Sequence, residues 1–199
     1  MTAVPTPIAH APKAAPFAIR AEKVSDVIAR EALLNACFGA NRHARTCQRL
    51  RDGRAPADGL ALSAMARGKV VGTVRLWHVS AGGVPALVLG PLAVGSAFRK
   101  LGVGAALMDH ALAAARSRGH RAVLLLGDAA YYSRFGFSAA KTGELTLPGA
   151  YEHERLLGLE LAEGALDGAW GMIVPTGGSL PKPKAARTRR SLRPATAVA

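Results

Sequence analysis

Arg99-Lys100-Leu101-Gly102-Val103-Gly104 is the segment whose residue types and spacing promise chemistry. It stands between an apolar run, Ala86 to Val94, and an amphipathic run that continues to Arg118. A strand therefore feeds a glycine-bearing turn that opens a helix. Several unpaired backbone N–H groups then gather at one spot, with the positive end of the helix dipole behind them. Such a spot holds a phosphate or pyrophosphate. Arg99 and Lys100 add charge beside it, and Gly102 and Gly104 remove the Cβ atoms that would keep phosphates off the backbone. The chain has no Gly-x-x-x-x-Gly-Lys-Ser/Thr, which excludes a P-loop, and its glycines do not follow the Gly-x-Gly-x-x-Gly of a dinucleotide fold.

The elements that must position this turn follow from hydrophobic spacing. Phe17 to Arg20 reads as a short first strand, and Val24 to Phe38 has helical spacing with Ser25 or Asp26 as cap and Gly39 as its end. Asn41 to Arg51 reads as a second, basic helix. Its Arg42, Arg45, Arg49 and Arg51 are taken as a solvated face, with a place near a substrate entrance as the alternative. Leu60 to Ala66 and Lys69 to Val79 flank Arg67-Gly68 as a hairpin, and Ala81 to Pro85 is the next turn. Ala86 to Val94 reads as one strand buried on both faces. Val103, Leu107, Ala111, Leu112 and Ala115 form the stripe of the Gly102–Arg118 helix, which Gly119 terminates. Arg121 to Leu126 is another buried strand. Asp128 caps a short helix to Phe135. Leu156 to Leu161 and Ala169 to Val174 are the late strands.

The two strands around the Gly102 helix make one parallel β-α-β crossover, while the earlier pairings are antiparallel. The expected fold is α/β, a mixed and mostly antiparallel sheet with helices on both faces. Its 199 residues suit one domain, 17–174, after an Ala- and Pro-rich leader, 1–16, and before a basic disordered tail, 175–199. That tail supplies six positive charges and no acid, so about half of the formal net charge of +13 lies elsewhere. A basic body suits an anionic cofactor as readily as a nucleic acid. No apolar run approaches the ~20 residues needed to cross a bilayer, and the leader lacks the pattern of a secretory signal. Two cysteines, Cys37 and Cys47, fit a reducing cytoplasm and are too few for a zinc site.

Three segments carry a resemblance to a known family. Ile19-Arg20 with the Val24–Phe38 helix looks like its opening. Leu89-Gly90-Pro91-Leu92-Ala93-Val94 leads to Arg99-x-x-Gly102-x-Gly104, and Gly127-Asp128-Ala129-Ala130-Tyr131-Tyr132-Ser133-Arg134-Phe135-Gly136-Phe137 follows. Together these resemble the GNAT superfamily of N-acetyltransferases, in a bacterial branch with the Gly-Asp-x-x-Tyr-Tyr-x-Arg-Phe-Gly-Phe string. The resemblance spans about Phe17 to Val174.

The resemblance implies acetyl transfer from acetyl-CoA to a primary amine by direct attack, with no metal. The donor's pyrophosphate would rest on the amides of Leu101, Gly102, Val103, Gly104 and Ala105, with Arg99 and Lys100 nearby. Leu92, Ala93 and Val94 would pair with the pantetheine arm, and an amide there would hold the thioester carbonyl. Tyr132 would hydrogen-bond or protonate the departing thiolate, while Tyr131 is left as a substrate contact. Asp128 reads first as a cap. For the base that deprotonates the amine, His78, His153, Glu152, Glu154 and a chain of waters stay open, since Ala86 to Val94 contains no acid.

Two other readings stand beside this one. A catalytically silent acyl-CoA-binding sensor would keep the loop and lose turnover. A nucleic-acid binder would use the tail, but the tail has no aromatic residue for base stacking. Its contribution is taken as weak electrostatic contact at most. A homodimer is left open.

Overall fold

The computed structural model describes residues 16–180. Nine strands form one sheet: β1 (Ala18–Ala21), β2 (Ala61–Ala66), β3 (Lys69–Ala81), β4 (Val84–Leu89), β5 (Ala93–Val94), β6 (Ala122–Leu126), β7 (Leu145–Thr146), β8 (Leu156–Glu160) and β9 (Gly171–Pro175). Three helices accompany them: α1 (Val27–Phe38), α2 (Val103–Ser117) and α3 (Ala129–Tyr132). The main order is β1-β2-β3-β4-β6-β8. All neighbours on that path are antiparallel except β4 and β6, the pair joined through α2. A second, short parallel ladder joins β7 to β9, and β9 pairs with the far end of β3. Among the described residues, no helix is long and apolar enough to cross a membrane.

Strand alternation sorts the core into two layers. Val74 and Leu76 of β3, Leu87 of β4, and Val123 and Leu125 of β6 face α2, whose Val103, Leu107, Ala111, Leu112 and Ala115 are buried as the stripe predicts. Trp77 and Val79, Val88, and Ala122 and Leu124 face the opposite side, against Leu50, Leu145 and Ile173. Each fully buried leucine contributes roughly 1.5–3 kcal/mol.

Helix α1 covers that second face by a different device. A 3-10 turn over Val24–Asp26 precedes it, and Val24 and Ile28 are 91% and 85% exposed, so the expected apolar stripe is not what docks it. Its buried residues are Arg30 and Leu34. Arg30 pairs with Glu22 and Glu31, and Glu22 also pairs with Arg75 of β3. A buried ion network replaces part of the hydrophobic contact. Asp26 takes a bidentate contact from Arg20 at 2.6 and 2.8 Å and the Lys23 amide at 2.8 Å.

Three expectations need correction. The run from Ala86 to Val94 is two strands. Leu76 pairs with Leu89, which in regular register would set Thr73 against Leu92; Thr73 pairs with Ala93 instead. One extra residue is taken up over Gly90-Pro91-Leu92, a bulge where Pro91 has no N–H for the ladder. Residues 41–51 are two 3-10 turns, Ala40–Ala44 and Thr46–Leu50, separated by an extended Arg45. The third concerns the ends. Residues 1–15 and 181–199 lie outside the described residues, but Pro175 closes β9. Beyond it, Ala55 donates to the Gly178 carbonyl and Leu180 to that of Gly53, both at 2.8 Å. The domain thus continues past the boundary expected at Pro175.

Candidate active site

Strands β4 and β6 pair only at Leu87–Val123 and Val88–Leu124. Beyond those pairs the bulge carries the first strand away, and a cavity of about 1270 Å³ opens between them. One wall runs from Leu89 to Leu92 and on to Val94, the other from Leu125 to Asp128. The N-terminus of α2 and the 3-10 turns after α1 also line it.

Gly102 is the helix cap with φ +80°, a left-handed conformation that favours glycine, and Lys100 also has a positive φ, +67°. Leu101 spends its amide on the Phe98 carbonyl at 3.4 Å. The next amide engaged in the turn is that of Ala106, on the Gly102 carbonyl at 2.9 Å. Those of Gly102, Val103, Gly104 and Ala105 are left at the positive end of a fifteen-residue helix. A Cβ built on Gly104 would lie 2.9 Å from the Tyr131 hydroxyl, so a side chain in this cradle would have to displace that phenol. The donor set is hydrogen-bonding N–H groups with Arg99 and Lys100 exposed beside them, chemistry that fits a pyrophosphate.

Along the first wall, Gly95 donates to the Val71 carbonyl at 2.9 Å. Ladder alternation therefore turns the Ala93 amide toward β3 and aims those of Leu92 and Val94 into the cleft. On the second wall, Asp128 is the N-cap of α3 and accepts from the Ala130 amide at 3.0 Å. Tyr132 packs across Gly127, where a Cβ would come within 2.3 Å of its ring, and meets Tyr131 and Phe137 edge-on. Burial, with help from Tyr131 and Asp128, pushes the Tyr132 phenol up to about 12. It is a neutral O–H donor throughout the physiological range.

Of the residues named from sequence, Leu92, Val94, Arg99, Lys100, Gly102, Val103, Gly104, Ala105 and Tyr132 line this cavity. Ala93 and Leu101 do not: Ala93 is buried in the sheet and Leu101 is exposed. Tyr131 lines it too, with the Arg134 guanidinium 3.9 Å above its ring centroid. The base candidates lie elsewhere. His78 is 5.3 Å from the ring of His120, and His153 stacks on Tyr151; neither they nor Glu152 or Glu154 line the cavity.

The basic turns are not merely a solvated face. Arg42, Arg45, Arg49 and Arg51 all line the cavity, as does Arg155 from the start of β8. Leu50, fully buried, anchors them. Thr46 donates to the Ala150 carbonyl and Arg49 to that of Pro148, which folds the segment onto the 148–150 loop. Arg155 was the residue that sequence reasoning missed. The signal was its place immediately before β8, beside the end of β6.

The model of the acetyltransferase (GNAT) family matches residues 29–137, which contain the whole cradle and Tyr132. This chain belongs to the GNAT family of acetyltransferases. It is 34% identical over 166 residues to a protein of Escherichia coli K12 described as an uncharacterized N-acetyltransferase, YhbS, covering 78% of this chain and 93% of that one. The crystal structure of E. coli YhbS in complex with CoA superposes with a TM-score of 0.68 at 31% identity, over 84% of this chain and 93% of the other. A GNAT family acetyltransferase from Brucella melitensis, in complex with acetyl-CoA, gives 0.61 at 27% identity, over 80% and 96%. The mixed sheet with one helical crossover is the fold these proteins share. Among the described residues, no group of His, Cys, Asp and Glu could hold a metal ion.

Proposed function

We propose that this chain transfers an acetyl group from acetyl-CoA to a primary amine by direct attack. The observation that carries the reading is the run of unpaired amides from Gly102 to Ala105, facing the same cavity as the Tyr132 phenol. The co-crystallised ligands of the YhbS and Brucella relatives support it. Acetyl-CoA supplies a thioester whose carbonyl is open to an amine and whose sulfur leaves as a thiolate.

The chain's own residues then divide the work. Amides 102–105 hold the pyrophosphate, with Arg99 and Lys100 as point charges beside it. The cleft-facing amides of Leu92 and Val94 hold the pantetheine arm as an added strand would. One of them donates to the thioester oxygen, where negative charge grows during attack. The Tyr132 phenol donates to the sulfur and passes its proton to it as the C–S bond breaks, and the proton shed by the attacking nitrogen returns through water to restore the phenol. No carboxylate stands ready as base. The many guanidinium groups around the cavity disfavour an ammonium ion, so an amine held among them loses its proton to water more readily.

The test is a thiol-release assay with acetyl-CoA and a panel of primary amines, alongside calorimetry with CoA. Micromolar CoA binding with amine-dependent thiol release supports the proposal. Binding without release for every amine would remove the catalytic half, and absence of binding would remove both.

A further inference from the structure

The cavity is lined by eight Lys or Arg residues and a single carboxylate, Asp128, which is committed to capping α3. The donor's phosphates account for the cations on the α2 side. They do not account for those on the other side of the sheet. Leu50, which anchors the basic turns, packs with Trp77, Val79 and Val88, on the face opposite α2. The cavity that opens between the β4–β5 run and β6 extends to that side, since the basic turns line it.

The guanidinium groups there are short of partners. Arg42 is neutralised by Glu31 and held by Asn35. Arg45 rests over the Phe38 ring at 5.1 Å, Arg49 donates to a backbone carbonyl at 2.5 Å, and Arg51 donates from Nε to the Cys47 carbonyl at 3.0 Å. Among the described residues none of these three has a carboxylate within salt-bridge distance. Arg51 is half-buried, and its Nη1 lies 3.9 Å from where a Cβ on Gly90 would sit, at the bulge that opens the cleft. Burial presses its pKa below the ordinary value, a cost that an anion against the guanidinium would offset. Arg155, immediately before β8, lines the cavity; its Nε donates to the Gly127 carbonyl at 3.5 Å, and Glu152 is its one ion-pair partner among the described residues, at 3.8 Å.

On the acetyltransferase reading above, we infer that the acceptor is a small amine whose own molecule carries an oxyanion, a carboxylate or phosphate, seated against Arg45 and Arg51. A guanidinium matches such a group with two parallel N–H donors. The same cations repel polyamines and the lysine side chains of basic peptides. The anion thus fixes the acceptor while its neutral amine points to the thioester.

The experiment uses matched acceptors with acetyl-CoA: alanine against alaninamide for the carboxylate, phosphoethanolamine against ethanolamine for the phosphate. At least one anionic member should exceed its partner tenfold or more in kcat/KM, and which pair responds identifies the oxyanion. The double variant R45Q/R51Q should raise KM for that acceptor tenfold or more, leaving the CoA dissociation constant within about twofold. A binding arm stands apart from turnover. CoA-saturated protein should bind N-acetylalanine or N-acetylphosphoethanolamine, and not N-acetylalaninamide or N-acetylethanolamine. Equal or better turnover of the uncharged-tail amines overturns the inference alone, as does weakened CoA binding by the double variant, which would assign the arginines to the donor. Failure of every amine to release thiol overturns the acetyltransferase reading and this inference with it. Equal binding of charged and neutral N-acetyl compounds also overturns the inference.

Discussion

Replacing Tyr132 by Phe separates chemistry from architecture at a single oxygen atom. In the folded protein the ring packs against Gly127, Tyr131 and Phe137, while among the described residues the hydroxyl has no hydrogen-bond partner. Phenylalanine keeps every ring contact, and deleting the oxygen leaves no buried partner unsatisfied. The stability change is therefore expected within about 0.5 kcal/mol. If the hydroxyl donates to the leaving sulfur, its loss costs on the order of a hundredfold in kcat, the lower end for a positioned general acid, or about 2.7 kcal/mol of transition-state stabilisation. The CoA dissociation constant should stay within about twofold, because the cradle is formed by α2. A thiol-release assay gives kcat, calorimetry gives binding and thermal melting gives stability. The wild-type phenol stays protonated until pH approaches about 12, so no loss of activity between pH 7 and 9 should be traceable to it. Unchanged kcat in Y132F would refute its role, and a melting temperature lowered by many degrees would show that the hydroxyl serves the fold.

Three further outcomes follow from the packing. Gly104→Val would place a Cβ 2.9 Å from the Tyr131 hydroxyl and methyl groups in the cradle, so CoA affinity by calorimetry should fall tenfold or more with the fold retained by circular dichroism. Leu107 is fully buried between α2 and the sheet, and Leu107→Ala should cost about 2–5 kcal/mol in urea denaturation. The Arg20 guanidinium beside Asp26 holds its carboxyl down at about 2 in the folded chain, below its ordinary 3.8. Its stabilisation is fully present above pH 4 and disappears as pH falls from about 4 to 2. In Asp26→Asn that part of the acid-unfolding curve should flatten.

Much of this architecture is legible in the sequence, for identifiable reasons. The α2 stripe repeats at the helical period over four turns, and glycines flank it, so its buried face and both ends can be read directly. Asp128 caps α3 because a short carboxylate before a helix finds a local amide, a contact that needs no tertiary information. The basic turns are different. Their arginine spacing suits a helix, but buried Leu50 and the contacts to Pro148 and Ala150 override that local preference. Those partners lie about a hundred residues away, so no local window reveals that the arginines turn inward. The division of β4 from β5 was signalled by Gly90-Pro91, yet the apolar run around it hid the break. β7, two residues long, is defined by pairing with β9 and has no periodicity of its own. Docking of α1 through Arg30 and Glu22 runs against the apolar pattern on its surface.

The central claim is that the amides of Gly102, Val103, Gly104 and Ala105 grip the donor's pyrophosphate. Amide-resolved NMR titration with CoA tests it most directly. The account predicts that these four resonances move the furthest and move together, at one dissociation constant matched by calorimetry. Saturable CoA binding that leaves all four in place would contradict it.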